Sequence, residues 1–461
     1  MKHLRKDSTL DRRSFLSRSA FAAAAITVAT PLDALLARGP QHPRRGRGPS
    51  PDYGPLQEAI DETTGLPLLK LPADFRYLSF GWTGDLMNDG QATPGSHDGM
   101  AAFAAGHGRV YLVRNHEIGD GPDAFAPALA YDPEAGGGTV TLEFDTLRGR
   151  LNASWPSLSG TVRNCAGGGT PWGSWLTCEE TTLGIGNGDL TKQHGYIFEV
   201  PASGVGNPVP FKSMGRFSHE AVAVDPATGY VYETEDAGNT SGFYRYRHDT
   251  PGSLSDGGDL AMLGIVGQPN FDTRTNQTGE WLDVEWHTID VPDPNLAGGG
   301  ATVFAQGFAK GAARFGRLEG AWYGPGRIYF VSTSGGNVAQ GQVFEYDPLN
   351  ERVRLLFESP SADVLNAPDN MCVSPRGGLV LCEDGSGTEY VHGLTTDGVI
   401  FRFAENNVDL RTTPVNGFNQ DYRGSEFAGA CYSPDGKWLF FNMQSPGITF
   451  AITGPWGSGG I

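Results

Sequence analysis

The chain has 461 residues, among them 66 glycines and 31 prolines, and a formal net charge of −18. Residues 1–50 carry ten Lys/Arg against three Asp, which leaves −25 on the remainder; so acidic a body excludes binding to nucleic acid or anionic membranes and suits cations. Sustained helical periodicity is scarce after residue 60, which excludes a helical bundle and predicts many short strands joined by turns.

Residues 1–37 read as an export signal. Asp11-Arg12-Arg13-Ser14-Phe15-Leu16 resembles the twin-arginine motif, and the alanine-rich stretch Ala20 to Ala29 is too short and too weakly apolar to span a bilayer. Ala37 is the candidate cleavage position. The twin-arginine translocase carries proteins already folded, so the expected location is periplasmic or secreted. Residues 38–55 are rich in Pro, Gly and Arg and read as a disordered linker. Residues 56–461 are expected to form a single domain.

That domain repeats one hairpin pattern six times: a polar residue opens a strand, a Pro/Gly turn follows, and an apolar strand ends in acids or amides. Asp98-Gly99 leads to Glu117, Asn164-Cys165 to Glu180, and His219-Glu220 to Asp236. Glu319-Gly320 leads to Gly336, Asp369-Asn370 to Gly385, and Glu426-Phe427 to Gln444. The two ends of an antiparallel hairpin meet at one edge. Six hairpins around an axis would crowd carboxylates onto one rim, and mutually repelling carboxylates call for cations. The expected fold is therefore all-β, a six-bladed β-propeller with inter-blade insertions.

Five cysteines occur, an odd count that leaves at least one thiol free in an exported protein. Cys178, Cys372, Cys382 and Cys431 sit in apolar strand sequence and read as buried small residues. Cys165 opens its strand within Arg163-Asn164-Cys165-Ala166-Gly167-Gly168-Gly169, at the position held by acids in other repeats. A thiolate there would select a softer metal such as iron or zinc; the alternative is a buried small residue. Arg317 and Glu319 lie two apart, so on a regular strand they share a face. An arginine fork matches phosphate bidentately, beside a carboxylate able to bind a metal; the alternative is a surface ion pair. His116 and His219 read as structural, and Trp172, Trp175, Trp322 and Trp438 as packing between blades.

The segments NHE (115–117), RNCAGGGTPWGSWLTCEE (163–180), GRFSHEA (215–221), YETED (232–236), RLEGAWY (317–323), PDN (368–370) and CEDG (382–385) resemble the PhoX-type alkaline phosphatases. The resemblance runs over roughly residues 75 to 450, and the block from Arg163 to Glu180 is the most specific. It implies a six-bladed propeller hydrolysing phosphomonoesters with an iron (Fe3+) and calcium (Ca2+) cluster; diesters are expected as further substrates. On that pattern Cys165, Glu180 and Glu220 supply iron ligands with Glu319 beside them, and Arg317 holds substrate phosphate. Asn115, Glu117, Glu235, Asp236, Asp369, Glu383 and Asp384 fall in regions that provide calcium ligands. A monomer acting on a small phosphate ester is expected. The alternatives are a calcium-dependent propeller lactonase or esterase, and a non-catalytic calcium-stabilised propeller.

Overall fold

The computed structural model describes residues 51–250 and 252–461. The twin-arginine motif, Ala37 and linker residues 38–50 lie outside the described residues. The described chain is all-β, with one short α-helix, Val303–Ala309, five single-turn 3-10 helices and five sheets of three to nine strands.

All six hairpins form. Their first strands are His97–Gly106, Asn164–Gly169, His219–Val224, Leu318–Gly324, Pro368–Val373 and Phe427–Tyr432, each paired antiparallel with the strand that follows it. Each first strand packs against the first strand of the next hairpin, and Phe427–Tyr432 packs back on His97–Gly106. The arrangement is propeller-like, with the first strands around the axis. Strands such as Ser174–Glu179 and Leu379–Glu383 are buried along their whole length, because neighbours cover both faces. Their runs of apolar residues, rather than strict alternation, follow from that double burial.

Two features differ from six separate sheets. Strands Ser253–Ile265 and Trp281–Thr288 extend the third group outward, and Trp281 pairs with Arg354 of Arg352–Glu358, fusing the third and fourth groups into nine strands. The N-terminal segment closes the ring: Arg76–Phe80 pairs with Ile448–Thr453, and Leu69–Leu71 pairs with Ile400–Asn406. The packed region also begins earlier than residue 56. Tyr53 sits edge-on to Phe75, Phe403 and Trp456, and Pro51 accepts a backbone hydrogen bond from Gly460, so residues 51–55 are not part of a disordered linker.

A register shift recurs near the start of every first strand. The ladder skips from His97 to Met100, Asn164 to Gly167, His219 to Val222, Leu318 to Ala321, Pro368 to Met371 and Ala428 to Cys431. In five of these the skipped pair begins with Asp98, Cys165, Glu220, Glu319 or Asp369. A bulge frees its residues from the ladder and re-aims their side chains. In four of the five the second member is Gly or Ala, because first strands crowd at the axis: a Cβ on Gly99 would lie 2.5 Å from Ala166 Cα, and one on Gly320 would lie 2.7 Å from the Asp369 carbonyl.

Candidate metal centre

A backbone clamp aligns the six repeats. The amide of Glu117 donates to Ser96 O, Glu180 to Arg163 O, Asp236 to Ser218 O, Thr333 to Arg317 O, Asp384 to Ala367 O, and Gln444 to Glu426 O. Each acceptor lies just before a first strand, and each donor just after a second strand. Three positions per repeat therefore reach one rim: the acceptor, the bulge residue two further on, and the donor. In the last repeat the residue two further on is Ala428, which stays paired with Asn442 while the bulge begins at Gly429, and Glu426 supplies the acid from the acceptor position instead.

The side chains converge as four overlapping groups. Asp98, Glu117 and Cys165 form one; Cys165, Glu180 and Glu220 the next; then Glu180, Asp236 and Glu319; then Glu220, Glu319 and Asp369. Within each group the ligand atoms all lie within 4.8 Å of one another. Shared members link the groups into one continuous arc, in which every residue except Glu117 and Asp236 is buried.

The arc is under electrostatic stress. Burial pushes Glu220, Glu319 and Asp98 far above the ordinary carboxylate range, and their neighbours push further: Asp369 and Glu180 on Glu220, Asp369 and Asp236 on Glu319, Glu426 and Glu117 on Asp98. Burial, Glu117 and Asp236 together outweigh Arg163 and lift Glu180 to about 9. Burial and Asp384 lift Asp369 to about 7. Burial also raises the Cys165 thiol, whose Sγ lies 3.8 Å from Asp98 Oδ2. Both Glu220 carboxylate oxygens and Asp98 Oδ1 are buried without a hydrogen bond. Buried carboxylates without donors and without cations are costly. Multivalent cations would remove that cost, so these residues fit metal ions. The oxygen-rich part suits a hard cation, and the thiol end a softer one.

Two arginines border the arc. Arg317 Nη2 lies 2.6 Å from Glu319 Oε1, as an ion pair rather than an aligned hydrogen bond, and Arg317 Nε lies 3.4 Å from Asp236 Oδ2. Arg163 Nη2 lies 2.5 Å from Glu180 Oε2, and its Nε 3.0 Å from Glu117 Oε1. Both have left-handed backbones, φ +43 and +52. Arg317 is not on the regular strand with Glu319 that alternation assumes: the strand starts at Leu318 and the bulge follows. The two side chains meet because of those departures.

Three residues expected as ligands are engaged elsewhere. Asn115 donates to the carbonyls of Cys165 and Ala166 and accepts from Trp175 Nε1 and Thr177 Oγ1, so its amide ties two neighbouring sheets together. Glu235 accepts from Tyr244 OH at 2.5 Å and from the Gly242 amide at 3.1 Å. Glu383 accepts from the amides of Asn366 and Tyr390 and bonds His392 Nε2. Glu235 and Glu383 are the last paired residues of their strands, so their side chains turn into their own sheets and the following residue faces the rim, whereas Asn115 lies two residues before the rim residue Glu117. Asp384 does face the rim, beside Glu426 and near Asp369, but joins none of the four groups.

Asp98, Arg163, Glu426 and Gln444 also belong to the rim, beyond the residues expected there from sequence. Gln444 Nε2 donates to Glu117 Oε2 at 2.7 Å and to Glu426 Oε1 at 3.0 Å. Asp98 and Glu426 already opened their repeats in the pattern, which was the signal for them. His116 and His219 are buried, bonded to the carbonyls of Gly95 and Gly215, and held uncharged by burial, as structural histidines. All five cysteines are buried and unbridged. Trp175 and Trp438 are buried, whereas Trp172 is exposed and bonds Glu199.

A family model for alkaline phosphatase PhoX matches residues 51–143 and 142–447. The chain belongs to the PhoX family. No curated protein matches it. Among solved structures it is similar to a gluconolactonase from Xanthomonas campestris, at 14% identity over 90% of this chain and 99% of that one, with a TM-score of 0.44. It is also similar to virginiamycin B lyase from Staphylococcus aureus, at 13% identity over 82% and 99%, with a TM-score of 0.40. Regucalcin, a calcium-binding protein from Agrobacterium tumefaciens, shows 10% identity over 82% and 98%, with a TM-score of 0.38. PhoX membership agrees with a cation-demanding rim. No helix among the described residues is long and apolar enough to cross a membrane.

Proposed function

We propose that the protein is an exported metal-dependent phosphatase that releases inorganic phosphate from phosphomonoesters, with diesters as further substrates, and that its sheets make six propeller blades. The observation that carries this reading is the guanidinium of Arg317, 36% exposed and held against Glu319 and Asp236 at the edge of the carboxylate arc. Cys165, Glu180, Glu220 and Glu319 would hold iron. Asp98, Glu117, Asp236 and Asp369 would complete the calcium sites, with Asp384 and Glu426 bordering them. When bound, the metals offset charge on the phosphoryl oxygens and provide an ionised oxygen nucleophile at working pH.

The protein's own groups do the rest. Arg317 presents its fork to the phosphoryl group, and burial is outweighed by Glu319 and Asp236, which keep the guanidinium charged. Its backbone is pinned from both sides, its N–H donating to Gly238 O and its carbonyl accepting from Thr333 N–H. Arg317 therefore meets the substrate without a costly reorganisation. The rim acids repel a phosphate dianion when bare, so binding depends on the cations they hold.

The partners proposed are a small-molecule phosphate ester and, during export, the twin-arginine translocase; the protein acts as a periplasmic or secreted monomer and binds no nucleic acid. A lactone substrate would need neither an arginine fork nor a thiolate, which weighs against a lactonase. The test is release of p-nitrophenol from its phosphate ester by the calcium- and iron-loaded protein, with and without chelator. Hydrolysis that disappears on chelation supports the reading, and lactone hydrolysis without phosphate-ester hydrolysis overturns it.

A further inference from the structure

A cleft of about 620 Å³ opens beside Arg317, lined by Gly238, Asn239, Arg274, Thr275, Arg317, Ser334, Gly336, Asn337 and Ala339. Its walls are the rim loops after Val231–Glu235 and Arg327–Ser332, together with the turn Thr273–Thr275. On a chain of net charge −18, this lining holds two arginines and no carboxylate. Nor does it hold an aromatic ring or a large aliphatic side chain.

Arg274 carries the second charge. Its Nε and Nη2 form a fork with Asp272 at 2.9 and 2.7 Å, and Arg314 Nη2 bonds the same carboxylate at 2.8 Å. One carboxylate thus faces two guanidinium groups, and the nearby Glu358 carboxylate, packed against Gly336, is engaged by Asn337 and Gln342. Nη1 of Arg274 makes no hydrogen bond among the described residues, and neither do the side chains of Asn239 and Ser334. Gly316 sets the spacing: a Cβ there would lie 3.1 Å from Arg274 Cδ and 3.2 Å from Ser334 Oγ. The Arg274 stem therefore crosses the backbone next to Arg317.

We propose that this cleft receives the alcohol part of the substrate and that Arg274 binds a second anionic group on it, so that the preferred phosphomonoesters carry a carboxylate or a second phosphate near the ester. The inference rests on the phosphatase reading, because it takes Arg317 as the phosphoryl contact. A neutral aryl group gains little here, since nothing apolar faces it. A second anion gains a charge-assisted contact with Arg274, and Asn239 and Ser334 are free to donate to it.

The test uses non-hydrolysable phosphonates and calorimetry on the calcium- and iron-loaded protein. Propylphosphonate has no second anion; 3-phosphonopropionate adds a carboxylate, and ethylene-1,2-diphosphonate adds a second phosphonate. The expected result is binding of one or both doubly anionic probes about tenfold tighter than propylphosphonate, the yield of one exposed charge-assisted contact. The tighter of the two identifies the anion. In Arg274→Gln the ratio should fall to about one, and Arg274→Lys should keep part of it. Equal binding of all three by the unmodified protein overturns the inference and leaves the phosphatase reading standing. A ratio that survives Arg274→Gln overturns the role of Arg274. If no phosphonate binds, both readings fall.

Discussion

Arg163 and Arg317 occupy the same position in two different repeats and pair with different members of one group of three carboxylates. Each accepts the clamp hydrogen bond on its carbonyl, and each has a left-handed backbone. Arg163 pairs with Glu180, and Arg317 with Asp236 and Glu319, while those three acids lie within 4.8 Å of one another. The centre is thus bracketed by two guanidinium groups. Replacing Arg163 with Ala should weaken inorganic phosphate binding to the loaded protein by about tenfold, one charge-assisted contact, without loss of metal. Calorimetry with metal analysis checks this; lost metal with unchanged phosphate affinity would assign Arg163 to holding Glu117 and Glu180.

Removing the Arg317 guanidinium should lower kcat/KM for a phosphate ester by roughly 10²–10³, the usual effect of losing one preorganised contact to transition-state charge. Because φ is +43 at this position, Arg317→Ala keeps the left-handed backbone cost that the arginine already bears, whereas Arg317→Gly relieves it. Steady-state kinetics on both separate the two effects. Near-normal efficiency in the Gly variant would rule out Arg317 as the phosphoryl contact.

Cys165 is the one thiol in the arc, and it has no disulfide partner. Cys165→Ser keeps the volume but replaces the soft donor, so iron content should fall while calcium content holds. Elemental analysis after desalting reads both, and unchanged iron would make Cys165 a buried packing residue.

Adjacent acids at the end of one strand should behave as opposites. Asp236→Asn should reduce bound metal with little change in melting temperature of the chelated protein. Glu235→Gln should leave metal content intact and lower that melting temperature, because Glu235 accepts from Tyr244 and Gly242 inside the sheet. Matching metal losses in the two variants would refute the division of roles.

Stability of the metal-free protein should fall as pH rises, and the stabilisation by metal should grow. Glu180, held near 9, and Asp369, held near 7, take up protons on folding that the unfolded chain has already released at those pH values. Folded-state pKa values above the unfolded ones make metal-free stability fall as pH rises from about 4 toward 9. The chelated protein should therefore melt at a higher temperature at pH 5 than at pH 8.5. Cations compete with protons for the same oxygens, so the loaded protein should show its greatest advantage over the chelated one at the higher pH. Thermal scans at the two values test this; a chelated protein more stable at pH 8.5 would contradict it.

Much of this architecture was legible in the chain. The six hairpins, and the gathering of Cys165, Glu180, Glu220, Glu319 and Asp369, followed from where acids recur relative to turns. Strand alternation puts Glu179 and Glu180 on opposite faces, and it separates Glu235 from Asp236 and Glu383 from Asp384 in the same way. The bulges were less visible, because a one-residue insertion in a ladder leaves no mark beyond a small residue after the acid. Without them the repeats slip by a residue: Asp98 and Cys165 fall in line with Glu319 only when Ser96, Arg163 and Arg317 are aligned first. Asn115 could not be told from a ligand by type, since its partners Cys165, Trp175 and Thr177 lie far along the chain.

The pairing of Arg76–Phe80 with Ile448–Thr453 has a consequence for the order of assembly. A strand made near the start of synthesis waits for one made near the end, and until both exist the ring has a gap between Phe427–Tyr432 and His97–Gly106. Asp98 and Glu426 stand on either side of that gap. The rim can gather its full set of ligands only after the last strand is in place, so a metal-loaded centre is itself a certificate of a finished fold. A truncation that removes residues 76–80 should leave every one of these ligands in the chain and still deprive the protein of its metals.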